Sequence, residues 1–459
     1  MNKSRNSFTL KFLLIVLLAA ALTPAQENSL GDDRDRGKEM LSKIKDDLKR
    51  YYYDPKLRGM DVDARFKEAA AKIDEARSLG QIMGIIATVL GELNDSHTYF
   101  IPPLFALEVD YGWTMQIVGE RCFVSFVDKG SDAEAKGVKP GDEILEAGGY
   151  TIDRSNLCKF RYLYNNLRPQ RSIRVVLRSP NGEQRQLELL AKQTERKNKR
   201  LTYYEQEALA KKADREAELR HSRFKSFGDQ LLIWQIPDFD LTESEVDEAI
   251  EKVRKHKALI LDLRGNGGGF VSTETRMVSS FFDRDVKICD TVTRKETKPR
   301  IAKSRGSEKV FSGKLVVLVD SESASASEVF ARTIQLEKRG TIIGDQTAGR
   351  VMTARRHWNQ VALGLKAAPY GLSITTSDLI MPDGVSLEDR GVTPDQVRLP
   401  SPDDLAAGRD VVLSYAVSLF GVTLNPVEAA NLFATNRLNQ NKKLSSSPPI
   451  SINRKTTVL

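Results

Sequence analysis

The sequence predicts an α/β protein with three structured parts: a helical N-terminal region, a small barrel-like β domain, and an α/β domain whose mixed or parallel sheet is flanked by helices. Three patterns lead to this fold class. Apolar residues recur at helical spacing through residues 31–103. Short alternating strands separated by Gly and Pro turns fill residues 104–194. Residues 226–425 alternate apolar strand-like runs with helical segments, as a parallel sheet requires.

The first 25 residues have the composition of a secretory signal peptide. Lys3, Arg5 and Lys11 precede an apolar run of about eleven residues, which is too short to span a bilayer. Thr23-Pro-Ala25 supplies small residues for cleavage. We therefore expect an exported protein, periplasmic or extracellular, without stable membrane insertion after cleavage. A retained amphiphilic anchor is the alternative.

Two segments are predicted to lie outside the folded parts. Residues 195–225 are rich in charge and predict a solvated helical linker between the second and third parts. Residues 437–459 are rich in Asn, Lys, Ser and Pro and predict a disordered tail.

The composition restricts the function classes. The net charge is +8, but no domain concentrates the basic residues on an aromatic-interleaved face, so we expect no nucleic-acid partner. Cys122, Cys158 and Cys289 are odd in number and form no CxxC pair, and only four histidines are present. A disulfide framework and a zinc site are therefore not expected, and no cofactor is. Pairing of Cys122 with Cys158 and two buried free thiols remain open.

The elements of the third part can be placed in order. The core strands are expected at residues 230–236, 258–262 and 315–319, with a helix starting near Thr242 between the first two. Upstream, the helical region ends in a proline-containing loop, Leu93–Pro103. Two turns rich in small residues then follow core strands, and both contain candidate functional residues.

The first turn is Asp262-Leu-Arg-Gly-Asn-Gly-Gly-Gly269, whose glycines allow close backbone approach to a ligand or simply make a tight turn. The second is the serine-rich stretch at 321–327, between an apolar strand and a helix. Such a turn can expose one hydroxyl beside the N–H groups of a helix N-terminus. An ordinary serine helix cap is the alternative.

A serine nucleophile needs a base. Of the four histidines, His97 lies in a loop flanked by hydroxyl and carboxylate groups, whereas His221 lies in the charged segment and His256 in a solvated turn. A structural role for His97 remains open. Near the end of the sheet region, Leu387-Glu-Asp-Arg-Gly-Val-Thr-Pro-Asp395 places a carboxylate before a turn, which turn chemistry explains equally well.

Together these motifs resemble a family. Asp-Ser-His, Asp-Leu-Arg-Gly-Asn-x-Gly-Gly, Ser-Ala-Ser-Ala-Ser-Glu, Thr-Ala-Gly and Gly-Val-Thr-Pro-Asp occur in the order typical of the C-terminal processing (tail-specific) serine peptidases. Several motifs are closer to a relative, the tricorn protease core. The resemblance implies a serine-type peptidase and makes Ser325 the nucleophile. The oxyanion hole would combine the N–H of Ser325 or Ala326 with that of Gly268 or Gly269.

The resemblance also implies a PDZ domain at residues 104–194, carried by the stretch from Gly130 to Leu145. Its substrate-binding residues would be Gly112, Trp113, Thr114 and Met115, where a PDZ domain holds a peptide C-terminus and adds the peptide as a strand. Polypeptides with free C-termini are therefore the expected partners. Homo-oligomerisation is left open.

The sequence differs from the better-known branch of the family at the position of the catalytic base. That branch uses a lysine in a Thr-x-Gly-Lys motif. Here Arg350 occupies that place, and arginine stays protonated and cannot accept the serine proton. The tricorn-like branch uses a histidine with a neighbouring serine and a distant glutamate. Ser96 and His97 match that pair, and Glu388 matches the glutamate.

Other assignments remain open. Asp345 and Asp383 are alternatives to Glu388, and Arg350 either binds a substrate carboxylate or closes its loop. The resulting hypothesis is an exported serine endopeptidase, recruited or gated by the PDZ domain. A catalytically dead peptide-binding protein and a non-peptidase serine hydrolase are the alternatives.

Overall fold

The computed structural model describes residues 24–103, 107–195, 222–363 and 366–433. The apolar part of the expected signal peptide, most of the expected helical linker with His221, and the expected disordered tail lie outside the described residues. In the described part of the chain, no helix combines the length and apolar character needed to cross a bilayer.

The N-terminal region is helical, as predicted. It comprises α1 (Pro24–Tyr51), α2 (Val62–Asp74) and α3 (Leu79–Gly91). The Asp61 side chain caps α2 and the Ser78 side chain caps α3 by accepting a backbone N–H of the first turn. The apolar faces of the three helices share one buried cluster. This region therefore has its own core.

The segment predicted as a loop at Leu93–Pro103 contains a short strand, β1 (Tyr99–Ile101). It pairs antiparallel with a strand near residue 372, far along the chain. The prediction was wrong here because a three-residue strand takes its backbone partners from tertiary pairing, which leaves no periodic pattern to detect.

Residues 107–195 form a separate unit, here called the β-domain. Its strands are β2 (Leu107–Asp110), β3 (Trp113–Val118), β4 (Arg121–Val127), β5 (Glu143–Ala147), β6 (Ser172–Arg178), β7 (Gln184–Leu190) and β8 (Lys192–Glu195). Strands β3 to β7 form one sheet in chain order, with β3 at its edge, and β2 pairs with β8. Helices α4 (Asp132–Ala135) and α5 (Leu157–Tyr162) complete it. The strand predictions for this segment are confirmed.

The structure decides between a disulfide and free thiols for the cysteines. Cys122 and Cys289 are buried free thiols, whereas Cys158 is an exposed free thiol on α5. Pairing of Cys122 with Cys158 is therefore wrong for this structure. The prediction of burial is wrong for Cys158 because its side of the short helix α5 faces outward.

Residues 222–433 form the α/β domain. Its main sheet has the order β18-β15-β14-β11-β10-β9. The strands are β9 (Arg223–Phe227), β10 (Leu231–Gln235), β11 (Ala258–Asp262), β14 (Lys314–Val319), β15 (Thr341–Gly344) and β18 (Gln396–Val397). All pair in parallel except β9, which is antiparallel to β10. The three core strands and the parallel sheet are confirmed, but residues 223–225 belong to β9 and not to a helical linker.

Helices cover both faces of this sheet. They are α6 (Glu243–Val253), α7 (Val271–Ser279), α8 (Ala326–Leu336), α9 (Pro402–Ala406), α10 (Val411–Ser418) and α11 (Pro426–Asn431). Thr242 and Glu245 form a capping box at the start of α6, where the sequence predicts a helix. One buried cluster lies on the face with α6 to α8 and a second lies under α10 and α11.

A second, antiparallel sheet was not predicted. It consists of β1, β12 (Val286–Thr293), β13 (Thr297–Ala302), β16 (Met352–Leu363) and β17 (Lys366–Ile380). β17 pairs with β1, β12 and β16, so it joins the N-terminal region to the α/β domain. The carboxyl ends of β11 and β14 carry the glycine-rich and serine-rich turns at one edge of the main sheet, where α/β proteins bind ligands.

A buried ionic cluster ties the start of α10 to this edge. Arg264 donates to Asp262 and Asp410 at distances of 2.8–2.9 Å, and Asp410 caps α10 through the N–H of Leu413. We expect Arg264→Met to lower the free energy of unfolding by about 3–5 kcal/mol, because two buried carboxylates lose the cation that they share. Urea denaturation measures the change.

The exposed pair between Arg409 and Asp404 is the matched control. Arg409→Met should cost less than about 1 kcal/mol, since water screens this pair. Equal losses for the two variants would contradict the structural role of Arg264.

Candidate active site

The serine-rich turn leaves one hydroxyl free. The hydroxyls of the other three serines donate to backbone carbonyls: Ser321 to Ile117, Ser323 to Leu263 and Ser327 to Asn266. Ser325 is 2% exposed, and its hydroxyl makes no hydrogen bond to any of the described residues. A buried hydroxyl without a partner is costly, so its availability indicates a function.

The backbone of Ser325 is strained. Its φ of 61° and ψ of −118° lie in a region that residues with a side chain rarely adopt, at a cost of about 1–3 kcal/mol. Ser325 precedes α8, but its hydroxyl does not cap the helix. Instead, the carboxylate of Glu328 accepts the Ser325 N–H at 2.9 Å. The turn thus holds the hydroxyl away from the capping position.

Glu328 is a fully buried carboxylate with four donors. Besides Ser325 N–H, it accepts the Thr347 hydroxyl at 2.6 Å, the Gly349 N–H at 2.7 Å and the Arg350 N–H at 3.0 Å. Burial raises the pKa of this carboxyl, while the donors oppose the shift. Glu328 therefore connects the serine turn to the Thr-Ala-Gly segment.

Ser96, His97 and Glu388 form a continuous hydrogen-bonded chain. The Ser96 hydroxyl lies 2.7 Å from His97 Nδ1 and 3.0 Å from Glu388 Oε2, and Ser96 N–H donates to Glu388 Oε1 at 2.7 Å. A carboxylate only accepts, so the hydroxyl hydrogen goes to Glu388. The hydroxyl oxygen then accepts from Nδ1–H, and His97 Nε2 keeps a lone pair that can take a proton.

One dipeptide joins the two halves of the site. Arg350 N–H donates to Glu328, and Val351 N–H donates to Glu388 Oε2 at 2.7 Å. Successive residues are only about 3.8 Å apart along the chain, so the two buried carboxylates are neighbours. The nucleophile turn and the histidine loop therefore meet at residues 350–351. Ser325 Oγ and His97 are not hydrogen-bonded in this conformation.

The charges around His97 oppose one another. Burial lowers the pKa of His97, the Arg350 guanidinium lowers it further, and the Asp95 carboxylate raises it. Burial raises the pKa of Glu388 to about 7, against the opposing hydrogen bonds from Ser96 and Val351. The histidine is thus kept neutral, while its glutamate titrates near neutral pH.

The glycine-rich turn lies against the serine. A Cβ at Gly268 would fall 2.6 Å from Ser325 Cβ, and its φ of +99° suits glycine. Gly268 N–H is already bonded to Asn266 Oδ1 at 2.9 Å, and Ser325 N–H to Glu328. Within the described residues, the N–H groups of Gly269 and Ala326 have no partner, so these two of the four expected donors stay available.

The alternative carboxylates lie elsewhere. Asp345 pairs with Arg154 and accepts Gly119 N–H from the β-domain, and Asp383 pairs with Arg332. Neither bonds to Ser96 or His97. The Arg350 side chain reaches the β-domain, where its Nη1 donates to Cys158 Sγ at 3.0 Å. In the described ranges, no cluster of His, Cys, Asp and Glu is arranged to hold a metal ion.

The expected peptide-binding residues lie on the edge strand β3 and the turn before it. A pocket beside them is lined by Tyr111, Trp113, Met115, Phe160, Arg161 and Tyr164. The edge carbonyls are occupied: Arg161 donates to Met115 O, and Ser321 Oγ donates to Ile117 O at 2.5 Å. Arg161 also pairs with Glu322 at 2.9 Å. The β3 edge therefore contacts the serine-rich turn directly.

Comparison with known proteins identifies similar peptidases. Residues 231–398 match the model of peptidase family S41. The tail-specific protease of Haemophilus influenzae is 26% identical over 400 residues, covering 82% of this chain and 53% of that protein. A probable CtpA-like serine protease of Staphylococcus haemolyticus is 23% identical over 465 residues, covering 98% of this chain and 86% of that protein.

Among solved structures, mature CPAF superposes with a TM-score of 0.63 at 14% identity, covering 90% of this chain and 98% of that chain. At this identity the likeness concerns the fold alone. The chain spans about half the length of the Haemophilus relative.

The class that residues 231–398 match is therefore that of a serine peptidase domain. Within this class, these residues match peptidase family S41, and the chain as a whole is similar to tail-specific and CtpA-like proteases.

Sequence reasoning missed two residues of the site. Glu328 stands three residues after Ser325, the spacing of a capping glutamate, and this signal was available. Asp95 stands two residues before His97, the spacing at which an Asp side chain bonds a following backbone N–H. Their long-range partners, Thr347 and Thr375, have no local signal.

The pH dependence of acylation should follow Glu388. Above pH 7 the ionised carboxylate accepts the Ser96 hydroxyl, which leaves His97 Nε2 unprotonated. Below pH 7 the protonated carboxyl releases that hydroxyl to donate to Nδ1, so the ring proton moves to Nε2 and the base is lost. We expect the rate of fluorophosphonate labelling to fall as pH drops through about 7.

Glu388→Gln tests this assignment. The amide does not titrate, so labelling should be slower and should lose the step near pH 7. An unchanged midpoint in this variant would assign the step to another group.

Proposed function

We propose that the protein is an exported serine endopeptidase that cleaves polypeptides through an acyl-enzyme on Ser325, with His97 as the base. The observation that carries the proposal is the free, strained hydroxyl of Ser325, joined through residues 350–351 to the chain of Ser96, His97 and Glu388. This histidine-based arrangement is the one expected of the tricorn-like branch. It supports a site without a lysine base.

The proposed reaction uses these groups in turn. Ser325 Oγ attacks the scissile carbonyl carbon while its proton passes to His97 Nε2. The carbonyl oxygen takes the negative charge and accepts the N–H groups of Gly269 and Ala326. His97 returns the proton to the leaving amine, and water then hydrolyses the ester by the reverse route. The Ser325–His97 hydrogen bond forms on substrate binding, as it often does in hydrolases.

Three substitutions test the roles. Ser325→Ala should abolish fluorophosphonate labelling and hydrolysis of an unfolded protein. His97→Ala should reduce acylation by about 10³-fold or more, because the serine loses its base. Arg350→Ala should keep part of the activity, since its side chain is not a proton acceptor.

His256→Ala and Ser327→Ala are the matched controls and should label like the wild type. Absence of labelling in the folded wild type would contradict the catalytic role of the site. Turnover of short esters without hydrolysis of unfolded protein would favour a non-peptidase hydrolase.

The β-domain is proposed to act as a PDZ domain that admits polypeptides by their free C-termini. Its support is the edge position of β3, the adjacent pocket and the Trp113 indole N–H, which is buried there without a partner. A peptide strand added at this edge would need Met115 O and Ile117 O, which Arg161 and Ser321 now occupy. Peptide binding would thereby separate Glu322 from Arg161 and detach the serine-rich turn from β3.

Arg161→Met tests this gating. In the wild type, a peptide with an apolar C-terminal residue should raise the labelling rate several-fold, because it displaces Arg161 and frees the turn. In Arg161→Met the peptide should no longer change the rate. Arg174→Met, which removes the exposed pair with Glu146 in the same domain, should respond like the wild type. A peptide effect that survives in Arg161→Met would contradict the gate.

A further inference from the structure

The loop that carries His97 is held by a carboxylate outside the chain of Ser96, His97 and Glu388. Asp95 Oδ1 accepts His97 N–H at 2.7 Å and Thr98 N–H at 3.0 Å. It also accepts the Thr375 hydroxyl at 2.7 Å, and Oδ2 accepts the Thr98 hydroxyl at 3.0 Å. Four donors therefore converge on one side chain, two of them from the backbone of the loop.

These bonds attach the loop to the second sheet. Thr375 N–H on β17 donates to the Thr98 hydroxyl at 3.0 Å, and Tyr53 N–H donates to Thr375 O at 3.0 Å. The segment bearing His97, the strand β17 and the end of α1 thus meet at Asp95. If Asp95 is removed, the loop loses the Asp95 bonds to its own turn and to the Thr375 hydroxyl of β17 together.

Asp95 also acts on the imidazole through its charge. The ionisable groups facing His97 are Asp95, the Arg350 guanidinium, and Glu388 through Ser96. Asp95 favours a proton on the ring and Arg350 disfavours it. Without Asp95, burial and Arg350 would act on the base unopposed.

We propose that Asp95 is a positioning residue for the histidine base: it clamps the loop of His97 onto β17 and presents a negative charge to the imidazole. The proposal rests on the proposed function of His97. Asp95 touches no reacting atom, so its removal should affect the rate of acylation and not the binding of substrate.

Asp95→Asn retains the size of the side chain but loses the charge and one acceptor. We expect kcat for peptide hydrolysis to fall by about 10–100-fold with KM nearly unchanged, as when an orienting partner of a reactive side chain is removed. Thr375→Val is the matched control, because it removes the hydroxyl's bonds to Asp95 and Thr98 and keeps the charge. It should lower kcat by less than about threefold.

A second readout does not depend on activity. With Ser325→Ala as background, the imidazole resonances can be followed by NMR against pH, and His97→Ala identifies the signal among four histidines. Adding Asp95→Asn should lower the titration midpoint of His97, whereas Thr375→Val should leave it in place. This measurement also separates altered electrostatics from a failure to fold, since the signals of the other histidines should keep their wild-type positions in a folded variant.

Different results would contradict the role of Asp95 and the proposed function of His97. An unchanged His97 midpoint and an unchanged kcat in Asp95→Asn would overturn the role of Asp95 and leave His97 as the base. Full labelling in His97→Ala would overturn the proposed function itself. A rise in KM with constant kcat in Asp95→Asn would also contradict a positioning role.

Discussion

The arrangement of the site depends on two buried carboxylates that share one short segment of backbone. Glu328 and Glu388 accept the consecutive N–H groups of Arg350 and Val351. Glu328 also holds the backbone of Ser325, and Glu388 holds Ser96 next to His97. Among the described residues neither carboxylate forms an ion pair with an Arg or Lys side chain, so N–H and O–H donors hold both of them, and burial raises both pKa values. If this segment moves, both halves of the site move with it.

The same constraint explains the arginine at position 350. A lysine there would offer a proton acceptor beside the serine, but arginine supplies only a fixed positive charge. Its backbone takes part in the carboxylate network, while its side chain extends to Cys158 on the β-domain. In the proposed reaction the proton acceptor is His97, which comes from the N-terminal region. The proposed catalytic groups are thus distributed over two structural units.

The β-domain contacts the opposite side of the serine-rich turn through charged and polar groups. Arg161 pairs with Glu322, Gln116 donates to Asp320, and Arg154 pairs with Asp345. Burial raises the pKa of Asp320 to about 6 and also raises that of Asp345. An interface of buried polar groups is specific in its geometry but can separate at lower cost than an apolar core. Such an interface suits a domain that moves relative to the turn it contacts.

Much of this architecture follows from local sequence. The strands β4 and β5, the core strands of the main sheet and the helix capped at Thr242 have the periodicity and capping residues that specify them. The serine-rich and glycine-rich turns also follow strands in a way that places them at one sheet edge. The second sheet could not be predicted, because β1 and β17 pair across most of the chain. Neither strand has a sequence pattern that identifies the strand it pairs with.

The sequence by itself determined the resemblance to a peptidase family, the residue types of the proposed site and the exclusion of a lysine base at position 350, because motifs and side-chain chemistry are local properties. Only the tertiary structure decided that Ser325 has the one free hydroxyl of its turn, that Glu388 and neither Asp345 nor Asp383 bonds Ser96, and that Asp95 binds the loop of His97. These outcomes depend on hydrogen-bond donors brought together from distant segments. Each donor has one direction and each buried acceptor must be satisfied, so the assignment becomes unique only after folding.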